Sequence, residues 1–286
     1  PVIDARLASE LLPVAASWPQ PFCLDVHIDG RQVLSVGEEA QTPASVEKLL
    51  TAVAVLALIP DDVRFSTTVV TDGEIVDGQL IGDAWVIGGG DPLITTLEYS
   101  SAYSRQPQLR SPIEDLADQL AALGIVGIQG RLVADESRYD TIRYVETWPD
   151  RYRAQHNVGP LSALTLNDGF TAWTPQRTDA ADPGLHFVDG LRSELRDRSV
   201  DVGGGLAVGV APAGATVIAE LTSPPLIEVV QEMLRESDNN TAELLLKELG
   251  LREAGVGSTI AGADVATRTV AALVPDEQLP LILDGS

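Results

Sequence analysis

Thr42-Pro43-Ala44-Ser45-Val46-Glu47-Lys48-Leu49, continuing from Leu50 to Ile59 and closed by Pro60, is the stretch on which the fold turns. It is rich in Leu, Val and Ala, with one proline in the approach and another at the exit, which predicts a helix over 46–59. It is apolar on nearly every side, the pattern of a helix central to a core, so Ser45 at its start is held by a rigid, buried element. Ser45 and Lys48 fit the S-x-x-K spacing and share one helix face, where an amine can take the proton of a hydroxyl. Backbone N–H groups at a helix start favour a developing oxyanion, and the apolar wall behind Lys48 favours a neutral amine. The plainer reading is a serine that starts a helix beside a partly exposed lysine. The chain has 17 Ser and two Lys in 286 residues. Chance alone then places this spacing somewhere with a probability of about one in eight, so it needs support from elsewhere.

Some support lies in the basic residues. Of 19, 17 are Arg and only Lys48 and Lys247 are Lys. Arginine does not give up its proton in a protein and lysine does, so a lysine kept in such a chain is a candidate for chemistry that needs a neutral amine.

Outward from the helix, 22–36 reads as two extended runs around Asp29-Gly30, which predicts an antiparallel hairpin. From Asp61 to about Ala215 the texture is short β-like runs, 65–70, 75–80, 84–87 and 130–134, between Asp-Gly and Gly-rich turns, with one amphipathic helix over 111–123. Beyond Ser223-Pro224-Pro225, helices resume over 226–236, 241–249 and from Ser258 or Thr259 to Leu273. Helical ends around a β-rich middle predict an α/β (α+β) chain with a discontinuous domain, 1–61 and 216–286, interrupted by a β-rich inserted module, 62–215.

The composition excludes several classes. A net charge of −23 repels phosphate backbones and anionic lipid, so neither nucleic acid nor a membrane surface is expected as a partner. The longest apolar stretch, 49–59, has 11 residues and includes Thr51, well short of the ~18 a membrane span needs. Pro1-Val2-Ile3-Asp4-Ala5-Arg6 shows no basic segment followed by an apolar one, and any signal peptide is expected to have been removed. Cys23, alone in Phe22-Cys23-Leu24-Asp25-Val26, reads as a small buried hydrophobe rather than a nucleophile. His27, His156 and His186 lack a second ligand at metal spacing, so no zinc site and no cofactor is expected.

Ser237-Asp238-Asn239 follows Ser45 by 192 residues, in the turn between two predicted helices. It matches the second motif that accompanies S-x-x-K in serine acyl-enzymes. These residues also cap helices well, and the two readings are compatible. With both motifs in place, the chain resembles the penicillin-binding D-alanyl-D-alanine carboxypeptidases and endopeptidases of the low-molecular-mass class, which carry an insert between the two. The resemblance extends to Gly89-Gly90-Asp91-Pro92, to Val133-Ala134-Asp135-Glu136-Ser137-Arg138-Tyr139-Asp140, and to Leu221–Leu226. It extends further over Met233-Leu234-Arg235-Glu236-Ser237-Asp238-Asn239-Asn240-Thr241-Ala242-Glu243, and Asp284-Gly285-Ser286 is similar to the start of an Asp-Gly-Ser-Gly segment of that family.

The resemblance implies acyl transfer without a cofactor, in a serine DD-peptidase or β-lactamase-like domain. Ser45 would attack the carbonyl between the terminal residues of a peptidoglycan stem peptide ending in D-Ala-D-Ala, with Lys48 as general base. Ser237 would relay a proton to the departing D-Ala, Asn239 would hold Lys48 and the substrate amide, and the Ser45 N–H would be half of an oxyanion hole. β-Lactam antibiotics would be covalent inhibitors. Endopeptidase action on cross-links stays open beside carboxypeptidase action. An inactive relative that only binds peptidoglycan or partners, and a β-lactamase, are the alternatives. The substrate implies a secreted, periplasmic or envelope-exposed protein. The family's third motif, Lys-Thr-Gly on an edge strand, is absent from these residues. The expectation is that 1–286 is the N-terminal portion of a longer enzyme, whose C-terminal segment covers the sheet edge beside Ser45.

Overall fold

Asp29 and Gly30 both take positive φ, 50° and 75°, the backbone of a two-residue turn whose twist matches that of paired strands. They join β1 (Leu24–Ile28) to β2 (Arg31–Val36) in the expected antiparallel hairpin, with a bulge between Val26 and His27. A helix that the sequence pattern does not predict, α1 (Val2–Ala15), precedes them. Cys23 is exposed rather than buried, because it lies just ahead of β1 instead of on its inward face. The computed structural model describes residues 2–19, 21–37, 42–275 and 281–286. These elements belong to the first of two units, Pro1–Ala44 and Ser45–Ser286.

The second unit opens with α2 (Lys48–Leu58) and then becomes β-rich. β3 (Ser66–Thr71), β4 (Glu74–Val76), β5 (Gln79–Ile81), β6 (Ala84–Ile87) and β7 (Ile94–Thr95) come first. The run 75–80 is therefore a second hairpin and not one strand, since Asp77 and Gly78 turn with φ of 50° and 78°. After α3 (Leu97–Ser101), β8 (Ser111–Pro112) takes the first residues of the predicted amphipathic helix, so α4 covers only Glu114–Ala122. β9 (Gly127–Ile128), β10 (Leu132–Asp135), α5 (Asp150–Ala154), β11 (Phe170–Ala172) and β12 (Thr178–Asp179) follow. Next comes α6 (Pro183–Asp197), a second long helix absent from the sequence expectation. Asp182 caps it by accepting the Leu185 N–H at 2.9 Å, and Pro183 opens it, both ordinary start signals. β13 (Asp201–Val202), β14 (Leu206–Val208) and β15 (Thr216–Thr222) complete the strands.

The fold is mixed α/β. A five-stranded sheet has the order β14-β10-β6-β3-β15, in which β10 is parallel to β14 and β6 while β3 is antiparallel to β6 and β15. A four-stranded sheet runs β13-β9-β5-β4. Val69, Val86, Leu132 and Ala134 of the larger sheet share a core with Leu116 and Leu120 of α4 and Phe187, Leu191 and Leu195 of α6.

A second core is helical. α7 (Leu226–Glu236) buries Leu226, Val229, Val230 and Met233, one stripe at 3.6-residue spacing. α8 (Asn239–Ala254) is buried without a break from Asn240 to Gly250, and α9 (Thr259–Leu273) lies beside it. Ala52, Ala54 and Val55 of α2 join Leu245, Leu246 and Leu249 of α8 in this core; each fully buried leucine contributes roughly 1.5–3 kcal/mol. α2 itself departs from the sequence expectation. α8 and α9 pack on one side of it only, so Lys48 and Thr51 are buried while Val46, Leu49, Val53 and Leu56 are exposed.

The larger sheet and α8 are joined through Tyr139, four residues beyond β10. Gly90 stands at φ +81°, and a Cβ there would lie 2.2 Å from the Tyr139 hydroxyl, so a side chain at 90 is excluded on both counts. The same hydroxyl donates to Glu248 Oε2 on α8 at 2.9 Å. In this way the Gly-Gly-Asp-Pro and Arg138-Tyr139 segments set the position of the helix that carries Asn239.

Candidate active site

Ser45 lies one turn before the α-helix rather than on it. Ala44 has a positive φ of 47° and residues Ala44–Glu47 form a 3-10 turn, the tighter winding common at helix starts. Lys48 is the first residue of α2, and its Nζ is 3.1 Å from Ser45 Oγ and 2.6 Å from Asn239 Oδ1. Ser45 is exposed whereas Lys48 is 1% exposed. Burial lowers the proton affinity of the Lys48 amine below that of an ordinary lysine, against the raising effect of Asp238, Glu243, Asp284 and Glu47. A neutral amine at this distance can accept the Ser45 proton.

Asn239 reaches Lys48 from the opposite helix. α7 ends at Ser237 in the left-handed conformation, φ 56°, and Asp238 caps α8 by accepting the Asn240 and Thr241 N–H groups at 2.8 and 3.3 Å. Asn239 is the first residue of α8, two earlier than the predicted start at 241, because its cap is Asp238. Its Nδ2 donates to the Asn157 carbonyl at 2.9 Å, which fixes the amide with its oxygen toward Lys48. Ser45, Lys48 and Asn239 thus form one hydrogen-bonded chain. Ser237 is exposed, lines one cavity with Asn239 and is placed by the turn, without a side-chain hydrogen bond to those three among the described residues.

Several residues at this place carry no signal in the local sequence pattern. Asn240 is buried, accepts the Gly159 N–H at 3.0 Å and donates to the Asp168 carbonyl at 3.0 Å. It therefore hangs two distant loops on the turn that holds Asn239. Those loops wall a cavity of ≈ 460 Å³ lined by Ser237, Asn239, Asp168, Trp173, Arg177 and the two tyrosines 99 and 103. Tyr99 and Tyr103 donate their hydroxyls to Asp168 Oδ2 at 2.7 and 2.8 Å. The only signal that pointed here is Asn240 itself, the residue after Ser237-Asp238-Asn239. Lys247, the other lysine, is buried in a pair with Asp140 and serves no such site. Among the described residues no group of three or more His, Cys, Asp or Glu is placed to hold a metal ion.

Burial, and next the charge of Asp238, push the Asp168 carboxyl up to about 7 from an ordinary 3.8. The folded protein then holds a proton that the unfolded chain releases near pH 4, so this group's contribution falls as pH rises from about 4 to about 7. Asp168→Asn keeps an oxygen for the two tyrosines and carries no charge. It is expected to raise the melting temperature at pH 8 and to leave it near wild type at pH 4. Equal differences at both values, read from melting curves across that range, would show that Asp168 is ionised throughout.

An exposed serine against a buried lysine, with an asparagine from a second helix on the same amine, is the arrangement a nucleophile and base of the Ser-Lys type require. The chain matches the model of the D-Ala-D-Ala carboxypeptidase 3 (S13) family over residues 31–184 and 174–286, and it belongs to that family. It is 32% identical over 212 residues to carboxypeptidase DacB of Mycolicibacterium smegmatis, a match that covers 72% of this chain and 43% of that protein. A D-alanyl-D-alanine carboxypeptidase of Actinomadura sp. (strain R39) is 24% identical over 326 residues, covering 87% of this chain and 57% of the relative. The chain thus spans about half the length of these relatives. Penicillin binding protein 4 (dacB) from Haemophilus influenzae shares the fold, with a TM-score of 0.71 at 18% identity over 86% of this chain and 65% of that one.

Proposed function

We propose that the intact protein is a penicillin-binding serine D-Ala-D-Ala carboxypeptidase, with endopeptidase action on cross-linked stems as a second activity of the same site. The observation that carries this reading is the Lys48 amine, buried and shared between Ser45 Oγ at 3.1 Å and Asn239 Oδ1 at 2.6 Å. Neutral Lys48 takes the Ser45 proton as Oγ attacks the carbonyl between the two D-Ala residues. Ser237 passes its hydroxyl proton to the leaving amine and takes the proton held on Lys48, which returns that amine to its neutral form. Water then resolves the ester, and Lys48 acts as base again. The Ser45 N–H gives one oxyanion donor.

One feature supports an insert at 62–215 between α2 and the helices that follow 225: one core joins α2 to α7, α8 and α9, and a separate core belongs to the larger sheet with α4 and α6. The boundary at 216 falls too early, since Thr216–Thr222 pairs with β3 and its Ala219 and Leu221 belong to the core of the larger sheet. The substrate places the protein outside the cytoplasmic membrane, in the envelope or beyond it. No helix of the described residues is long and apolar enough to cross a membrane. β-Lactams are the inhibitors this reading implies, and a Haemophilus influenzae neighbour has been solved with one bound.

The test is to give the intact protein a D-Ala-D-Ala peptide, a cross-linked muropeptide and a penicillin in parallel. Release of D-Ala and a long-lived penicilloyl adduct are expected. Rapid penicillin turnover without D-Ala release would make it a β-lactamase, and no reaction with any of the three would reduce it to a binding protein.

A further inference from the structure

Asp284-Gly285-Ser286 lies against the same two helices that present Lys48 and Asn239, one turn behind the contact between them. Thr51 of α2 donates its hydroxyl to the Gly285 carbonyl at 2.9 Å, and the Gly285 N–H donates to Glu243 Oε1 of α8 at 2.8 Å. Thr51 and Glu243 are each 0% exposed. Thr51 is three residues after Lys48 and Glu243 four after Asn239, so each stands on the same helix face as its catalytic neighbour. Gly285 has no room for a side chain: a Cβ there would lie 2.5 Å from the Ala242 carbonyl oxygen. We propose that Glu243 is a positioning residue for acylation, holding Gly285 as a clasp between α8 and α2 and so setting the Lys48–Asn239 contact. This rests on the reading of Ser45 and Lys48 as nucleophile and base.

The carboxyl of Glu243 suits a hydrogen-bonding rather than a charged role. Burial, then Asp284, push its proton affinity up to about 8, against the lowering effect of hydrogen bonds from the Gly285 N–H and the Ser286 side chain. Near neutral pH it is an uncharged acceptor for one N–H. The acidic groups around Lys48 are Asp238, Glu243, Asp284 and Glu47, and each, where ionised, raises its proton affinity while burial lowers it. Loosening the clasp lets water between the helices and returns the amine toward the ordinary lysine range. Removing a negative charge at 243 would do the reverse. The two roles therefore shift the pH profile in opposite directions.

The experiment measures the acylation rate of the intact protein by a fluorescent penicillin from pH 5 to 10, in wild type, Glu243→Ala, Glu243→Gln and Thr51→Val. Loss of the clasp in Glu243→Ala and Thr51→Val is expected to slow acylation by about 10- to 100-fold, the usual effect of misplacing a catalytic group by an ångström or less. It is also expected to move the acid limb of the profile to higher pH. Glu243→Gln keeps the Oε1 acceptor and is expected to recover most of the rate. Combining Glu243→Ala with Thr51→Val is expected to cost little more than either alone, since both break one bridge. Thr51→Val preserves side-chain shape and decides the matter if Glu243→Ala does not fold. A wild-type rate in both single variants would overturn the clasp, as would an acid limb shifted to lower pH in Glu243→Ala or a folded Glu243→Gln as slow as the alanine variant. Equal labelling of wild type and Ser45→Ala would instead overturn the underlying assignment of the nucleophile.

Discussion

Covalent labelling of the intact protein by a fluorescent penicillin is expected to vanish in Ser45→Ala and to slow by about 10²- to 10⁴-fold in Lys48→Arg, the usual range for losing a positioned general base. The two losses have different causes. In the proposed mechanism Ser45 supplies the atom that forms the ester, and among the described residues no other hydroxyl shares the Lys48 amine with it. The arginine variant would keep the positive charge and can still donate to Asn239, yet a guanidinium does not deprotonate and cannot accept the serine proton. Wild-type labelling should rise with pH as Lys48 loses its proton, with a midpoint below the ordinary lysine value of 10.5 because the amine is buried. In Lys48→Arg that limb should be missing. Equal labelling of wild type and Ser45→Ala would dispose of the nucleophile, and a normal rate in Lys48→Arg would dispose of the base.

The largest loss of stability is expected at Glu248, far from the chemistry. It is 0% exposed and receives Arg138 through two bonds, 3.0 and 2.7 Å, Tyr139 at 2.9 Å and Arg252 at 2.6 Å. Burial alone would raise its proton affinity, but Arg138, then Arg252 and Tyr139, bring it below the usual glutamate range. Glu248→Ala leaves a half-buried guanidinium and a buried tyrosine hydroxyl without their acceptor, a kind of break that costs about 3–5 kcal/mol. At roughly 2–4 °C per kcal/mol for a chain of this size, the melting temperature should fall by about 10 °C near neutral pH. The depressed folded value means that the stabilisation is present above the unfolded glutamate value and is lost as pH falls through the folded one. The gap between wild type and variant should accordingly narrow below about pH 4. A difference of less than about 2 °C at pH 7 would mean that the cluster contributes nothing net.

What was legible in the sequence is what local rules encode. Asp29-Gly30 and the runs beside it gave the hairpin, Pro60 the end of α2, and the apolar stripe from Leu226 to Met233 gave α7. Ser237-Asp238-Asn239 could be read both as a motif and as a cap, and Asp238 does cap α8. α6 went unread although Asp182-Pro183 and the spacing of Phe187, Val188, Leu191 and Leu195 mark it, because its Gly and charged residues blended into the β-like texture around it. Other features lie beyond any such rule. The carbonyl that orients Asn239 comes from Asn157, 82 residues away, and Asn240 reaches Asp168 across 72. Backbone groups carry no residue signature, so nothing in the spelling of 157 announces its part. The exposed side of α2 was misjudged for a related reason: a stripe of Leu and Val states that a helix prefers cover, not which faces its own chain supplies.

α8 has a consequence for how such a protein changes over generations. Asn240 holds the loops at 159 and 168, Glu243 holds Gly285, Lys247 holds Asp140, and Glu248 holds Arg138, Tyr139 and Arg252. From 240 to 250 the helix has no face on solvent. A helix of that kind has almost no neutral positions, because each side chain answers to a different neighbour and a replacement that suits one leaves a buried polar partner stranded. Drift is pushed outward, to the solvent sides of α4 and α6 and to the strands at the margins of the sheets. A lineage built on this fold can remodel its periphery widely while the segment from Asn239 to Gly250 stays nearly fixed, and new specificity has to arise in the loops that α8 holds rather than in α8.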